Sequence, residues 1–152
     1  MHRKKLSQYL HLVWATWDRE PSLLPEHEKE IYRCIVNQIQ KKGCKVIAIN
    51  GMCDHVHLLI KFPSTVTVAE IMKQVKGVSS RLINQYLMPG DHFRWQGGYA
   101  SFTVSRWDLP KIINYIKNQK QIHQEDDLDI DLEETVFSES KTSPEGDVRR
   151  KP

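Results

Sequence analysis

Cysteine is scarce in this chain: Cys34, Cys44 and Cys53 make an odd set with no CxxC spacing. That argues against a disulfide-stapled scaffold and for reduced thiols in a cytoplasmic protein. Long apolar runs are missing too. No stretch approaches the ~20 residues needed to cross a bilayer, and the N-terminus carries no signal-peptide apolar core, so no membrane association is expected. A glycine-rich P-loop is also lacking, so no nucleotide cofactor is expected. No internal repeat is present.

What remains is ordinary in bulk. The 152 residues are 39% apolar and 27% charged, enough for one domain with one hydrophobic core. Charge is unevenly placed. Residues 124–152 hold 4 Lys and Arg against 10 Asp and Glu, which leaves 18 basic and 9 acidic residues in 1–123. A body with a net charge of +9 is a plausible footprint for nucleic acid, and also a common solvated surface. The division expected is a catalytic domain over 1–123 and an acidic, disordered tail over 124–152.

Residues 9–17, "YLHLVWATW", read as a strand, followed by a proline-marked loop. Ile31, Cys34, Ile35 and Ile39 form a helical stripe within 26–42, with Gly43 as its stop. "CKVIAINGM" and "HVHLLIKF" are two strands, and the two-residue link Cys53–Asp54 makes them an antiparallel hairpin. A second helix starts at Thr67, with Glu70 at capping-box spacing, and carries Val68, Ile71, Val75, Val78, Leu82 and Leu87 on one face. "YASFTVS" is a fourth strand, and a last helix capped by Asp108 runs to about His123. The order β-α-β-β-α-β plus a helix is an α+β, ferredoxin-like antiparallel sheet with an additional C-terminal helix.

The chemistry begins in "GMCDHVHLLIKF". His55 and His57 are two apart on a strand and face the same way, a ready half of a metal site. Taken alone, an HxH pair is more often two hydrogen-bonded polar residues on an open sheet face. A third ligand would come from the last helix, where Tyr115 and Gln119 stand one turn apart. Two imidazoles and an amide form a neutral set that favours Mg²⁺ or Mn²⁺ with water and phosphate oxygens, with Zn²⁺ as the alternative that a third His or Cys would have signalled more strongly. Tyr115 beside such a cation could attack a phosphodiester. The plain alternatives are an amphipathic stripe with Tyr115 at its edge and a solvated Gln119. For DNA contact, Lys73, Lys76 and Arg81 could line one side of the second helix. Arg94 and Trp95 could hold a phosphate and stack on a base, and Arg3, Lys4 and Lys5 form a basic arm. Trp14 and Trp17 read as core or sheet-face residues.

Four blocks in order resemble the single-tyrosine HUH transposases, the TnpA type of simple insertion sequences, and their relatives that act on repetitive extragenic palindromes. They are "HLVWATWDREPSLL" (His11–Leu24), "DHVHLLI" (Asp54–Ile60), "FRWQGGYASFTVS" (Phe93–Ser105) and "YIKNQKQIH" (Tyr115–His123). The resemblance spans Tyr9 to His123. It departs at Gly98, where many relatives carry a charge, and at Ala100–Ser101, where Gly–Ala is common; these bear on DNA specificity rather than chemistry.

The resemblance implies cutting and rejoining of single-stranded DNA near an imperfect hairpin, with Tyr115 as nucleophile. His55, His57 and Gln119 would hold a divalent metal. It further implies a homodimer with a joined sheet, a hinge at Ser105–Asp108, and work at the nucleoid of a bacterial or archaeal cell. Two other functions fit parts of the sequence: a non-catalytic single-strand nucleic-acid binder, and a metal-dependent phosphodiesterase that uses water.

Overall fold

The structure, a computed structural model, describes residues 7–124. The basic arm Arg3–Lys5 and the acidic tail expected beyond Gln124 lie outside the described residues. Four strands, β1 (Gln8–Ala15), β2 (Lys45–Met52), β3 (His55–Phe62) and β4 (Ala100–Val104), form one antiparallel sheet in the order β2-β3-β1-β4. The ferredoxin-like α+β order read from the sequence is the order found.

Helices α1 (Pro25–Lys41) and α2 (Val68–Leu82) cover one sheet face. Leu10, Leu12 and Trp14 of β1 and Val56, Leu58 and Ile60 of β3 meet Ile31, Ile35 and Ile39 of α1 and Ile71, Met72 and Val75 of α2, all buried. Each such side chain is worth about 1.5–3 kcal/mol once removed from water, so this layer carries much of the stability. Local signals set the helix ends. At the end of α1 the Gly43 N–H bonds Gln40 O and the Cys44 N–H bonds Ile39 O, a Schellman pair closed by Gly43 at φ 81°. At the start of α2 the Thr67 hydroxyl accepts from the Glu70 N–H, while the Glu70 carboxylate accepts from the Thr67 N–H. The last turn of α2 widens into a π turn over Ile83–Leu87.

The other sheet face is covered as well. Helices α3 (Leu109–Lys117) and α4 (Gln119–Gln124) pack there, with Ile112 and Ile116 against Ala48, Leu59 and Val104. The single last helix expected from the sequence is broken at Asn118 (φ −100°, ψ 17°). The cause lies on β2: the Asn50 amide donates to Lys117 O at 3.1 Å, a carbonyl that an unbroken helix would give to residue 121. Lys120 then ties α4 down through Asn50 Oδ1 (2.7 Å), Gly51 O (3.1 Å) and Glu28 (2.8 Å).

Candidate active site

Strand β3 lies in the middle of this sandwich, and its first six residues are buried. Val56, Leu58 and Ile60 point to α1 and α2, so His55, His57 and Leu59 point to α3 and α4. The open polar face that offered a plain explanation for the two histidines is absent: both are fully buried.

Buried imidazoles need partners. His55 Nδ1 lies 2.8 Å from Asp54 Oδ1, and Arg19 reaches Asp54 Oδ2 through Nε and Nη2, each at 3.2 Å. Burial pushes the Asp54 carboxyl up, but the His55 hydrogen bond and the Arg19 charge outweigh it and hold the group below the usual carboxylate range. Asp18 and Arg19 both adopt left-handed backbone (φ 54° and 55°), a costly choice for non-glycine residues. The turn is pinned where the Asp18 N–H donates to Gln96 Oε1 at 3.2 Å.

His57 Nδ1 lies 2.8 Å from His11 Nε2. His11 is a third fully buried histidine, contributed by β1. Sequence reading gave no role to His11, Asp54 or Arg19. The available signal was strand alternation, which puts Tyr9, His11, Val13 and Ala15 on one face of β1.

Gln119, at the start of α4, is fully buried and its Oε1 lies 3.2 Å from His55 Nε2. Tyr115, half-buried on α3, packs edge-on to His57 with ring centroids 5.7 Å apart. His55, His57, Gln119 and Tyr115 therefore converge within one chain. The donor chemistry fits a cation. A carboxylate cannot donate, so the proton on His55 Nδ1 goes to Asp54, and Nε2 of a neutral ring is an acceptor. With Nε2 bare, the ring and the Gln119 oxygen turn two lone pairs to one point, a donor pair that suits a divalent cation; a doubly protonated ring would instead donate to that oxygen. Among the described residues no group of three or more His, Cys, Asp and Glu gathers as a metal site. An amide would therefore have to complete the set begun by His55 and His57.

A family model described as "Transposase IS200 like" matches residues 4–119. The chain belongs to the IS200-like transposase family. It is 31% identical over 119 residues to the ISDra2 transposase TnpA of Deinococcus radiodurans, covering 72% of this chain and 81% of that protein. Against the transposase for insertion sequence element IS200 of Salmonella typhimurium it is 28% identical over 116 residues, covering 72% and 74%. A crystal structure of a candidate transposase from Deinococcus radiodurans superposes with TM-score 0.62 at 26% identity, over 78% of this chain and 96% of that one. The REP-associated tyrosine transposase bound to a REP hairpin shares the fold (TM-score 0.63, 13% identity, 81% and 73% covered).

In this IS200-like transposase the residues expected to touch DNA fall in two sets, Lys73 with Arg81 and Lys76 with Arg94 and Trp95, in depressions that share Gly77. Lys73 and Arg81 are exposed and line a groove of about 500 Å³ along α2, with Lys42 from the end of α1 at its edge. Lys76 is partly buried and donates to Gln96 O (2.8 Å) and Gly98 O (2.6 Å), so it braces the loop before β4. Arg94 is exposed, its guanidinium 4.2 Å from the centre of the half-buried Trp17 ring. Trp95 corrects the expectation of a base-stacking surface. It is 9% exposed, its indole N–H donates to Ser79 Oγ at 2.9 Å, and its ring packs on Trp14 and Phe93. Asn84 clasps Phe93 N–H and C=O at 2.7 and 3.0 Å, which turns this aromatic stretch inward. The three cysteines are free thiols, and burial pushes those of Cys34 and Cys44 up, away from nucleophilic or ligand chemistry. No helix among the described residues is long and apolar enough to cross a membrane.

Proposed function

We propose that this transposase cuts and rejoins single-stranded DNA beside an imperfect hairpin through a phosphotyrosine at Tyr115. What supports the reading is the convergence of His55, His57 and Gln119 at one point with Tyr115 edge-on to His57. Water attack would leave the placement of Tyr115 unexplained.

In this scheme Tyr115 Oη attacks the scissile phosphorus. The Oη–P bond forms as the P–O3′ bond breaks, the phenol proton passes to solvent, and the departing 3′ oxygen takes one up. The 5′ phosphate stays on Tyr115, and attack by a second 3′-OH reverses the step onto a new partner. One ester replaces another, so no nucleotide is consumed. His55, His57 and Gln119 would hold Mg²⁺ or Mn²⁺, which supplies neutralisation of the charge that develops on the phosphate oxygens. The exposed cations Lys73, Arg81 and Arg94 would track phosphates. The active form is a homodimer in which two sheets join along an edge that a lone sheet leaves unpaired.

The test is a single-stranded oligonucleotide with an imperfect hairpin, incubated with Mg²⁺ or Mn²⁺ and resolved on a denaturing gel. A protein–DNA band lost on Tyr115→Phe is expected, and His55→Ala should abolish cleavage while hairpin binding persists. Cleavage that survives Tyr115→Phe would make the protein a phosphodiesterase, and binding without cleavage would make it a binder only.

A further inference from the structure

We propose that His11 is a positioning residue for the cation site: it accepts the Nδ1 proton of His57 and so fixes the tautomer in which His57 offers Nε2 to a divalent cation. The inference rests on the metal-assisted reading above and adds to it a residue outside the HxH strand.

The geometry is specific. His11 Nε2 stands 2.8 Å from His57 Nδ1, and the two rings stack with centroids 5.0 Å apart and planes 28° apart. Phe102 of β4 packs on His11 at 5.7 Å. The surrounding layer on this part of β1 and β4 is apolar: Val13, Ala15 and Ala100, with Phe102 against them. An apolar side chain at position 11 would satisfy that layer, whereas a fully buried imidazole costs free energy unless it is bonded. One bond it makes is to His57. A neutral imidazole has one N–H and one bare nitrogen, and the partner at one nitrogen decides the state of the other. With His11 Nε2 as acceptor, His57 carries its proton on Nδ1 and Nε2 is the nitrogen with the lone pair.

His55 is treated in parallel. Asp54 accepts the hydrogen bond from its Nδ1–H, and its Nε2 faces Gln119 Oε1. Two different residues, a carboxylate on the β2–β3 turn and an imidazole on β1, thus perform one task on the two histidines. Partners of this kind keep metal-binding imidazoles in register, and losing one typically costs about 10–100-fold in metal affinity.

The test uses the full chain labelled with ¹⁵N-histidine. Long-range ¹H–¹⁵N correlation on the metal-free wild type should show His57 protonated on Nδ1 and bare on Nε2. His11→Phe keeps the ring volume and removes the acceptor; it should release that preference and weaken Mn²⁺ binding, followed by electron paramagnetic resonance, by about 10–100-fold. His11→Gln, whose side-chain oxygen can reach the same point, should keep the wild-type tautomer and stay within a few-fold for Mn²⁺. Neither change should alter metal-free binding of a hairpin oligonucleotide. A wild type that binds Mn²⁺ with His57 protonated on Nε2 overturns the role of His11 alone. A His11→Phe protein with unchanged tautomer and Mn²⁺ affinity does the same. A wild type that holds the tautomer but binds no Mn²⁺ overturns the metal reading and the purpose assigned to His11 with it. The wild-type spectrum decides the first point even if His11→Phe fails to fold.

Discussion

Asp54 links the folding of the site to its chemistry. Its carboxylate bonds His55 on one side and Arg19 on the other. Because the folded group sits below its ordinary value of 3.8, the charged form stabilises the fold. That contribution is complete above the unfolded value and is lost as pH falls through the lower, folded one. Asp54→Asn should therefore destabilise the protein by about 1–3 kcal/mol at pH 7. The gap from wild type should shrink in urea melts as pH drops from 5 towards 3; a gap independent of pH would remove the ionic part of this account. At this scale the sequence was partly legible. His55 and His57 declared themselves through strand spacing, and Tyr115 and Gln119 through one helical turn. His11 did not: alternation assigns it a face of β1, but the partner that gives that face a meaning is 46 residues away. Trp95 was misread because a residue in a long loop is ordinarily at the surface, and the Asn84 clasp that turns it inward is tertiary.

Among the elements, the β2–β3 hairpin was the most legible. Its two-residue turn and the limits His55–Phe62 follow from local pattern alone. The break at Asn118 was not, since the Asn50 amide that causes it is 67 residues from the carbonyl it captures. The hairpin also makes a demand on Gly51. A Cβ there would run into the backbone of His55 and Val56. Gly51→Ala should cost about 1–3 kcal/mol through overpacking, and should reduce cleavage because the strand that shifts is the one bearing His55. Gly77, inside α2, has nothing within 4 Å of a Cβ, so Gly77→Ala should instead add about 0.5–1 kcal/mol and leave cleavage unchanged. Urea melts of the two variants side by side check the contrast. Equal effects would mean that the tight approach at Gly51 is relieved by movement elsewhere.

For the molecule as a whole, charge distribution leads to a solution measurement. With 18 basic and 9 acidic residues in 1–123, hairpin binding that uses phosphate contacts should weaken steeply between 50 and 200 mM salt. A flat response would leave Lys73, Arg81 and Arg94 as solvated charges. Light scattering should return twice the 17.8 kDa of one chain if sheets join across protomers; a monomer at micromolar concentration would set that part aside. Fold class was legible because six elements of clear type come in an order that few topologies accommodate. The covering of both sheet faces was harder to foresee, since it depends on α3 and α4 folding back over residues that a two-layer arrangement leaves wet. That double covering has a consequence for how the protein can change over time. In β3, Val56, Leu58 and Ile60 build the layer under α1 and α2, while the odd-numbered face carries both imidazoles and Leu59, so parity decides which helix pair each side chain meets. A one-codon insertion or deletion inside this strand would swap the two sets, driving histidines beneath α1 and α2 and aliphatics into the reaction centre. Activity can thus be eroded by point changes at His55 or His57, whereas a one-residue slip in β3 forfeits fold and chemistry together.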